Sequence, residues 1–243
     1  MMSQPVVQFS SVSKGYGQHQ VLDKLGFSVL EGEIFALVGV NGAGKTTLMK
    51  SLLDFCDIEQ GEITLYGKPH TDLQSRMPVA FLSERFMPPD YMTGQDFLSL
   101  MMALYRLPYD SAIVADWCCR FGLDETVLSK SSAKLSKGMA QKLGLIACFM
   151  SGKSLTLMDE PMSGLDPQAR SVVKTVFRDI SSSGRTLFFS THMLADVEVL
   201  CHRMAILHEG NIRFIGSPTA CCEQFSATTL EEAYLKCIGL YNN

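Results

Sequence analysis

The chain has 243 residues, a size that fits one large domain or one domain with a subdomain. An apolar fraction of 47% supplies a full core, and 21 basic against 25 acidic residues give a net charge of −4, which excludes the basic footprint of a nucleic-acid binder. Eight cysteines without a C-x-x-C pair or zinc spacing, no secretory signal at 1–8 and no run of about 20 apolar residues predict a soluble, cytoplasmic chain that reaches a membrane only through a partner.

In chain order, 6–9 and 27–29 read as strands of an antiparallel edge, with 14–17 as the turn between them. Strand, helix and strand follow at 34–38, 44–55 and 61–66, then a short buried strand at 79–82. Pro88, Pro89 and Gly94 break the chain, and 96–107, 111–121 and 139–150 carry helical apolar spacing. Strand patterns return at 154–158 and 186–190 around a helix at 167–183. Next, 204–208 and 212–215 form a hairpin across Glu209-Gly210-Asn211, and a helical tail begins at Cys221. The alternation predicts an α/β fold with a mostly parallel sheet covered by helices on both faces. An N-terminal antiparallel β subdomain and a helical insertion complete it. As one domain over 1–243, it divides into a core (1–86 and 151–222), a helical subdomain (87–150) and a C-terminal helical tail (223–243).

Gly39-Val40-Asn41-Gly42-Ala43-Gly44-Lys45-Thr46-Thr47 fits G-x-x-x-x-G-K-[ST] between a strand and a helix. A glycine turn there aims backbone N–H groups into one hollow, and the helix N-terminus adds partial positive charge. The chemistry is nucleotide-phosphate binding on a P-loop NTPase (RecA-like) core. Lys45 reaches the β- and γ-phosphates, and the Thr46 hydroxyl ligates Mg²⁺. The apolar run 155–158 ends in Asp159 and Glu160. A buried strand delivers carboxylates where they find a charge partner, here beside the phosphates. Asp159 then holds Mg²⁺, and Glu160 accepts a proton from the attacking water.

Three further motifs accompany these: Leu135-Ser136-Lys137-Gly138-Met139 ahead of a helix, Ser163-Gly164-Leu165-Asp166-Pro167, and Ser190-Thr191-His192 after a strand. With them the chain resembles an ATP-binding-cassette (ABC) ATPase over nearly its whole length, its motifs in the family's order. The resemblance implies that Tyr16 stacks on adenine, that Glu84 adds a metal ligand, and that His192 contacts the γ-phosphate. It also implies that Ser136 and Gly138 grip the ATP of a second protomer in a head-to-tail dimer, homo or hetero, with Asp166 coupling the two sites. The cofactors are then ATP and Mg²⁺. The other partner is an integral membrane permease, which holds the chain on the inner face of the cell membrane, in an export-type transporter.

Each residue also has a plainer reading: Tyr16 a turn tyrosine, Glu84 a loop acid, His192 a surface residue, Asp166 an N-cap. Two departures stand out. Lys137 and Met139 replace Gly and Gln of the usual signature, and Glu84 replaces Gln. Rival functions are a soluble ABC ATPase in translation or repair, and an ATP-gated regulatory module without turnover.

Overall fold

The computed structural model describes residues 5–240. It opens with β1 (Pro5–Tyr16), β2 (His19–Leu30), β3 (Ile34–Val38), α1 (Lys45–Leu52), β4 (Gln60–Leu65), β5 (Lys68–Pro69), α2 (Leu73–Arg76) and β6 (Val79–Leu82). A helical stretch follows: α3 (Gly94–Leu104), α4 (Ser111–Arg120), α5 (Thr126–Ser129) and α6 (Lys137–Met150). The chain then runs through β7 (Leu155–Asp159), α7 (Pro167–Ser182), β8 (Thr186–Thr191), α8 (Leu194–Leu200), β9 (Arg203–His208) and β10 (Asn211–Gly216). Helices α9 (Pro218–Gln224) and α10 (Leu230–Cys237) close the described chain, while 1–4 and 241–243, the ends of the expected core and tail, lie outside it.

Two sheets form. A four-stranded antiparallel sheet has the order β2-β1-β4-β5, and a six-stranded sheet has the order β10-β9-β3-β8-β7-β6. Within the larger sheet every pairing is parallel except β10 with β9, so the predicted mostly parallel sheet and terminal hairpin are both present. Strands β3, β7 and β8 are buried at every position, as strands covered on both faces must be.

Alternation along these strands sorts the core into two layers. Ile34, Ala36, Val38, Leu187 and Phe189 face Leu143, Phe149, Phe177 and Val197 of α6, α7 and α8. Phe35, Leu37, Leu157 and Phe188 face the other way, onto Leu48, Met49 and Leu52 of α1 and onto Val7, Phe9, Phe27 and Val29 of the antiparallel sheet. Helices lie on both faces, as expected, with one refinement: on one of them the cover is shared. One face is covered by a helix and a second sheet, because β1 and β2 carry an apolar row long enough to cover it.

The expected turn at 14–17 is corrected. β1 runs on through Tyr16, which pairs with His19, and only Gly17 (φ +62°) begins the turn. Register shifts between Phe9 and Gly15 break the alternation that would have revealed the full strand. Helix α8 is a further difference, since the spacing over 194–200 predicts no helix. It has seven residues and no side-chain N-cap, so it left no start signal.

The helical stretch is anchored to the main sheet through Phe149. Its ring stacks at 6.0 Å on Trp117 and 6.1 Å on Phe121, and meets Phe177 edge-on at 5.7 Å.

Candidate functional site

The loop after β3 is shaped by two close approaches. A Cβ on Gly39 would lie 2.6 Å from the Leu207 carbonyl oxygen, so this position admits only glycine beside β9. Gly44 has φ +106°, and a Cβ there would meet Leu22 Cδ2 at 2.9 Å. Gly44 also occupies the N-cap of α1 without a side-chain cap, which leaves the first amide donors of that helix to an incoming anion. The loop borders a cavity of about 530 Å³ that is also lined by Tyr16, Glu84, Asp159 and Glu160.

Lys45 is 6% exposed. Its ammonium donates to the Gly39 carbonyl at 2.7 Å and the Val40 carbonyl at 3.2 Å, and lies 3.4 Å from Glu160 Oε1. The Thr46 hydroxyl donates to Asp159 Oδ2 at 2.7 Å, and the Ser190 hydroxyl donates to the other carboxylate oxygen. Hydroxyl and carboxylate oxygens on one rim, with Glu84 facing the same cavity, are a donor set suited to a hard divalent cation. Among the described residues, no group of three or more His, Cys, Asp or Glu side chains is placed to hold a metal by itself.

Glu160 leaves β7 at φ +49°, a left-handed conformation that costs a non-glycine residue roughly 1–2 kcal/mol. Its N–H donates to the Ser190 carbonyl at 3.2 Å and to Ser190 Oγ at 3.0 Å, which pins the turn. Strain held this way at a strand end aims the carboxylate sideways. It sits between Lys45 and His192, whose Nδ1 donates to Glu160 Oε1 at 3.0 Å.

Of the residues singled out from sequence, Tyr16, Asn41, Gly42, Gly44, Lys45 and Thr46 border the large cavity. Thr47, Glu84, Asp159 and Glu160 join them. Gly39 and Ala43 are buried beneath the loop. His192 faces a smaller cavity on the far side of Glu160. Ser136, Gly138 and Asp166 line a separate cavity of about 450 Å³ that shares no residue with the first. Ser136 Oγ accepts from the Met139 N–H at 3.2 Å as the N-cap of α6, and Asp166 Oδ1 accepts from the Ala169 N–H at 2.8 Å as the N-cap of α7. Lys137 donates to Ser163 Oγ at 3.2 Å, tying the first turn of α6 to the loop before Asp166.

Sequence reasoning missed His19, Val21 and Arg85, which also border the large cavity. Arg85 follows Glu84 directly in sequence, and that adjacency was the available signal.

A family model described as ABC transporter matches residues 22–163. An uncharacterized ABC transporter ATP-binding protein of Synechocystis is 36% identical over 222 residues, covering 87% of this chain and 63% of the relative. Nod factor export ATP-binding protein I of Paraburkholderia xenovorans is 32% identical over 225 residues, covering 90% of this chain and 73% of the relative. The chain thus spans less than two thirds of its cyanobacterial relatives, 63% and 58% of their lengths. A solved structure of an ATP binding subunit of an ABC transporter superposes with a TM-score of 0.86 at 30% identity, covering 96% of this chain and 99% of that one. A solved structure of cbiO1 from Clostridium perfringens, part of the ABC transporter complex cbiONQ, shares the fold at a TM-score of 0.75 and 21% identity, with 91% of each chain covered. With its phosphate-binding turn and paired carboxylates in place, the chain belongs to the ABC transporter family, among its ATP-binding proteins.

Proposed function

We propose that this chain binds and hydrolyses ATP and, through a separate integral membrane permease, drives transport, in the export direction. The observation that carries the reading is the Glu160 carboxylate held between Lys45 and His192 beside the cavity bordered by the glycine loop. Tyr16 stacks on the adenine, while Gly39, Asn41, Gly42, Ala43, Gly44 and Thr47 form or support the phosphate cradle. Lys45 holds the β- and γ-phosphates. Thr46, Asp159 and Glu84 hold Mg²⁺, which when bound neutralises charge on the phosphates.

Glu160 accepts the proton of the attacking water, and His192 orients that carboxylate from behind. Ser136 and Gly138 line a cavity distinct from the Lys45 cavity, which supports a dimer of two protomers head to tail. Each signature helix then completes its partner's site, and Asp166 couples the two. Export is supported by the relative named for Nod factor export. The permease places the chain at the cytoplasmic face of the cell membrane, and nucleic acid is no partner. Residues 1–86 and 151–222 act as the nucleotide-binding core, 87–150 as the helical arm and 223–243 as a tail.

The test is Glu160→Gln in the purified chain. ATP binding should persist and turnover should fall by about 100-fold or more. Unchanged turnover would remove Glu160 as the base.

A further inference from the structure

Helix α8 follows His192 after a single residue, Met193, and its N-terminus has no side-chain cap. The Met193 N–H donates to Thr191 Oγ1 at 3.0 Å, and buried Val197 and Leu200 seat the helix on the core, but its first turn also carries a charge. Asp196 lies in its first turn and is 4% exposed. Rather than capping its own helix, Asp196 reaches across to α7. Its Oδ1 accepts from the Lys174 ammonium at 2.9 Å, and its Oδ2 faces Arg170 Nη1 at 3.7 Å. A carboxylate this buried is tolerable only with such charge partners.

Both partners belong to the helix that begins at Asp166, the end of the loop leaving Glu160. Arg170 lies one turn past that N-cap, with Lys174 a further turn along the same face. The contact therefore joins the first turn of α8 to the N-terminal half of α7. The loop feeding one carries Glu160, and the loop feeding the other carries His192. A cavity of about 90 Å³ touches Glu160, His192, Arg170 and Asp196 together, so the ion cluster borders the space behind the reacting pair.

We propose that Asp196, held by Arg170 and Lys174, is a positioning residue that sets the His192 ring against Glu160. The proposal rests on the reading of Glu160 as the base. Asp196 touches neither nucleotide nor water in this role; it acts through His192. The short α8 supplies a rigid lever, and the ion cluster fixes its near end. Freed of the cluster, the His192 loop keeps its sequence but loses its register against β7.

The test compares Asp196→Asn, Asp196→Glu and Glu160→Gln in the full purified chain. Asp196→Asn should lower kcat by about tenfold or more while the Kd for ATP stays within about twofold, since the lost interaction matters at the reacting step. The His192 ring nitrogen resonances, assigned with His192→Gln, should shift to values of an imidazole without a carboxylate partner. Asp196→Glu, which keeps the charge, should recover part of the rate. An unmoved His192 resonance, or a Kd that rises in step with the kcat loss, overturns the proposal. If Asp196→Asn does not fold, Arg170→Gln carries the same readouts, because Lys174 still neutralises Asp196. It should cost about threefold in kcat and shift the His192 signal part way, and an unshifted signal again overturns it. Failure of the underlying reading looks different: Glu160→Gln would then retain turnover whatever the Asp196 variants do.

Discussion

The Lys45 ammonium stands 3.4 Å from Glu160 Oε1 while donating at 2.7 Å to the carbonyl of Gly39. The cation on the phosphate side of the cavity is thus already paired with the carboxylate proposed as base. A triphosphate entering the cradle competes for that cation. Lys45→Met removes the competition and the phosphate contact together. Charge-assisted hydrogen bonds contribute about 1.5–3 kcal/mol, so ATP affinity should fall by roughly 10- to 100-fold in titration calorimetry. An affinity within twofold of the parent's would mean the loop amides hold the phosphates unaided.

Ser136 separates the two cavities experimentally. Ser136→Ala deletes an N-cap, which costs about 1 kcal/mol of stability. ATP binding by the dilute chain should be unaffected, because Ser136 does not border the Lys45 cavity. Turnover at high protein concentration should drop about tenfold. Weakened binding in the dilute chain would contradict the head-to-tail arrangement.

Asp166 has a cap role that is visible in its bond to the Ala169 N–H and a coupling role that is proposed. Asp166→Asn keeps an acceptor in place, so stability in urea should stay within about 0.5 kcal/mol of the parent. Turnover should still fall if the charge couples two sites. Equal activity would leave Asp166 as a cap alone.

Phe149 joins the helical stretch to the main sheet, 2% exposed and in ring contact with Trp117, Phe121 and Phe177. Phe149→Ala should cost about 3–5 kcal/mol in chemical denaturation. A loss below about 1 kcal/mol would mean the neighbouring rings collapse to fill the space.

Buried thiols make stability sensitive to alkali, Cys118, Cys148 and Cys221 among them. Burial, assisted by Glu125, pushes Cys118 up to about 11; burial alone takes Cys148 to about 12, and burial aided by Cys237 and Cys222 takes Cys221 to about 12. Unfolded chains release these protons nearer 9, the ordinary cysteine value. The folded state therefore keeps its full advantage below pH 9 and loses it as pH climbs toward 11–12. Melting temperature followed from pH 8 to 11 should decline, less steeply in Cys148→Ala. At pH 8, iodoacetamide should modify exposed Cys119 first and leave these three until the chain unfolds.

Most of the candidate site was legible because its parts are local. Glycine is favoured where φ turns positive or two backbones nearly touch, and Gly39, Gly42 and Gly44 meet those conditions within six residues. Asp159 and Glu160 announce themselves as carboxylates ending an apolar strand, and Ser136 and Asp166 as caps. What stayed hidden depends on partners distant in sequence. The bulges of β1 erased its alternation, and nothing local says that β1 and β2 would cover the face opposite α6 and α7. The Asp196 cluster with Arg170 and Lys174 likewise exists only once α7 and α8 lie side by side.

The β3–β8–β7 stretch of the larger sheet places Gly39, His192 and Glu160 just past the ends of three adjacent, fully buried strands. Amide protons there should be the last to exchange with heavy water, since such strands open only when the whole molecule does. Heat should consequently extinguish nucleotide chemistry and tertiary order in a single sweep, leaving no warm interval in which a folded but inert chain accumulates.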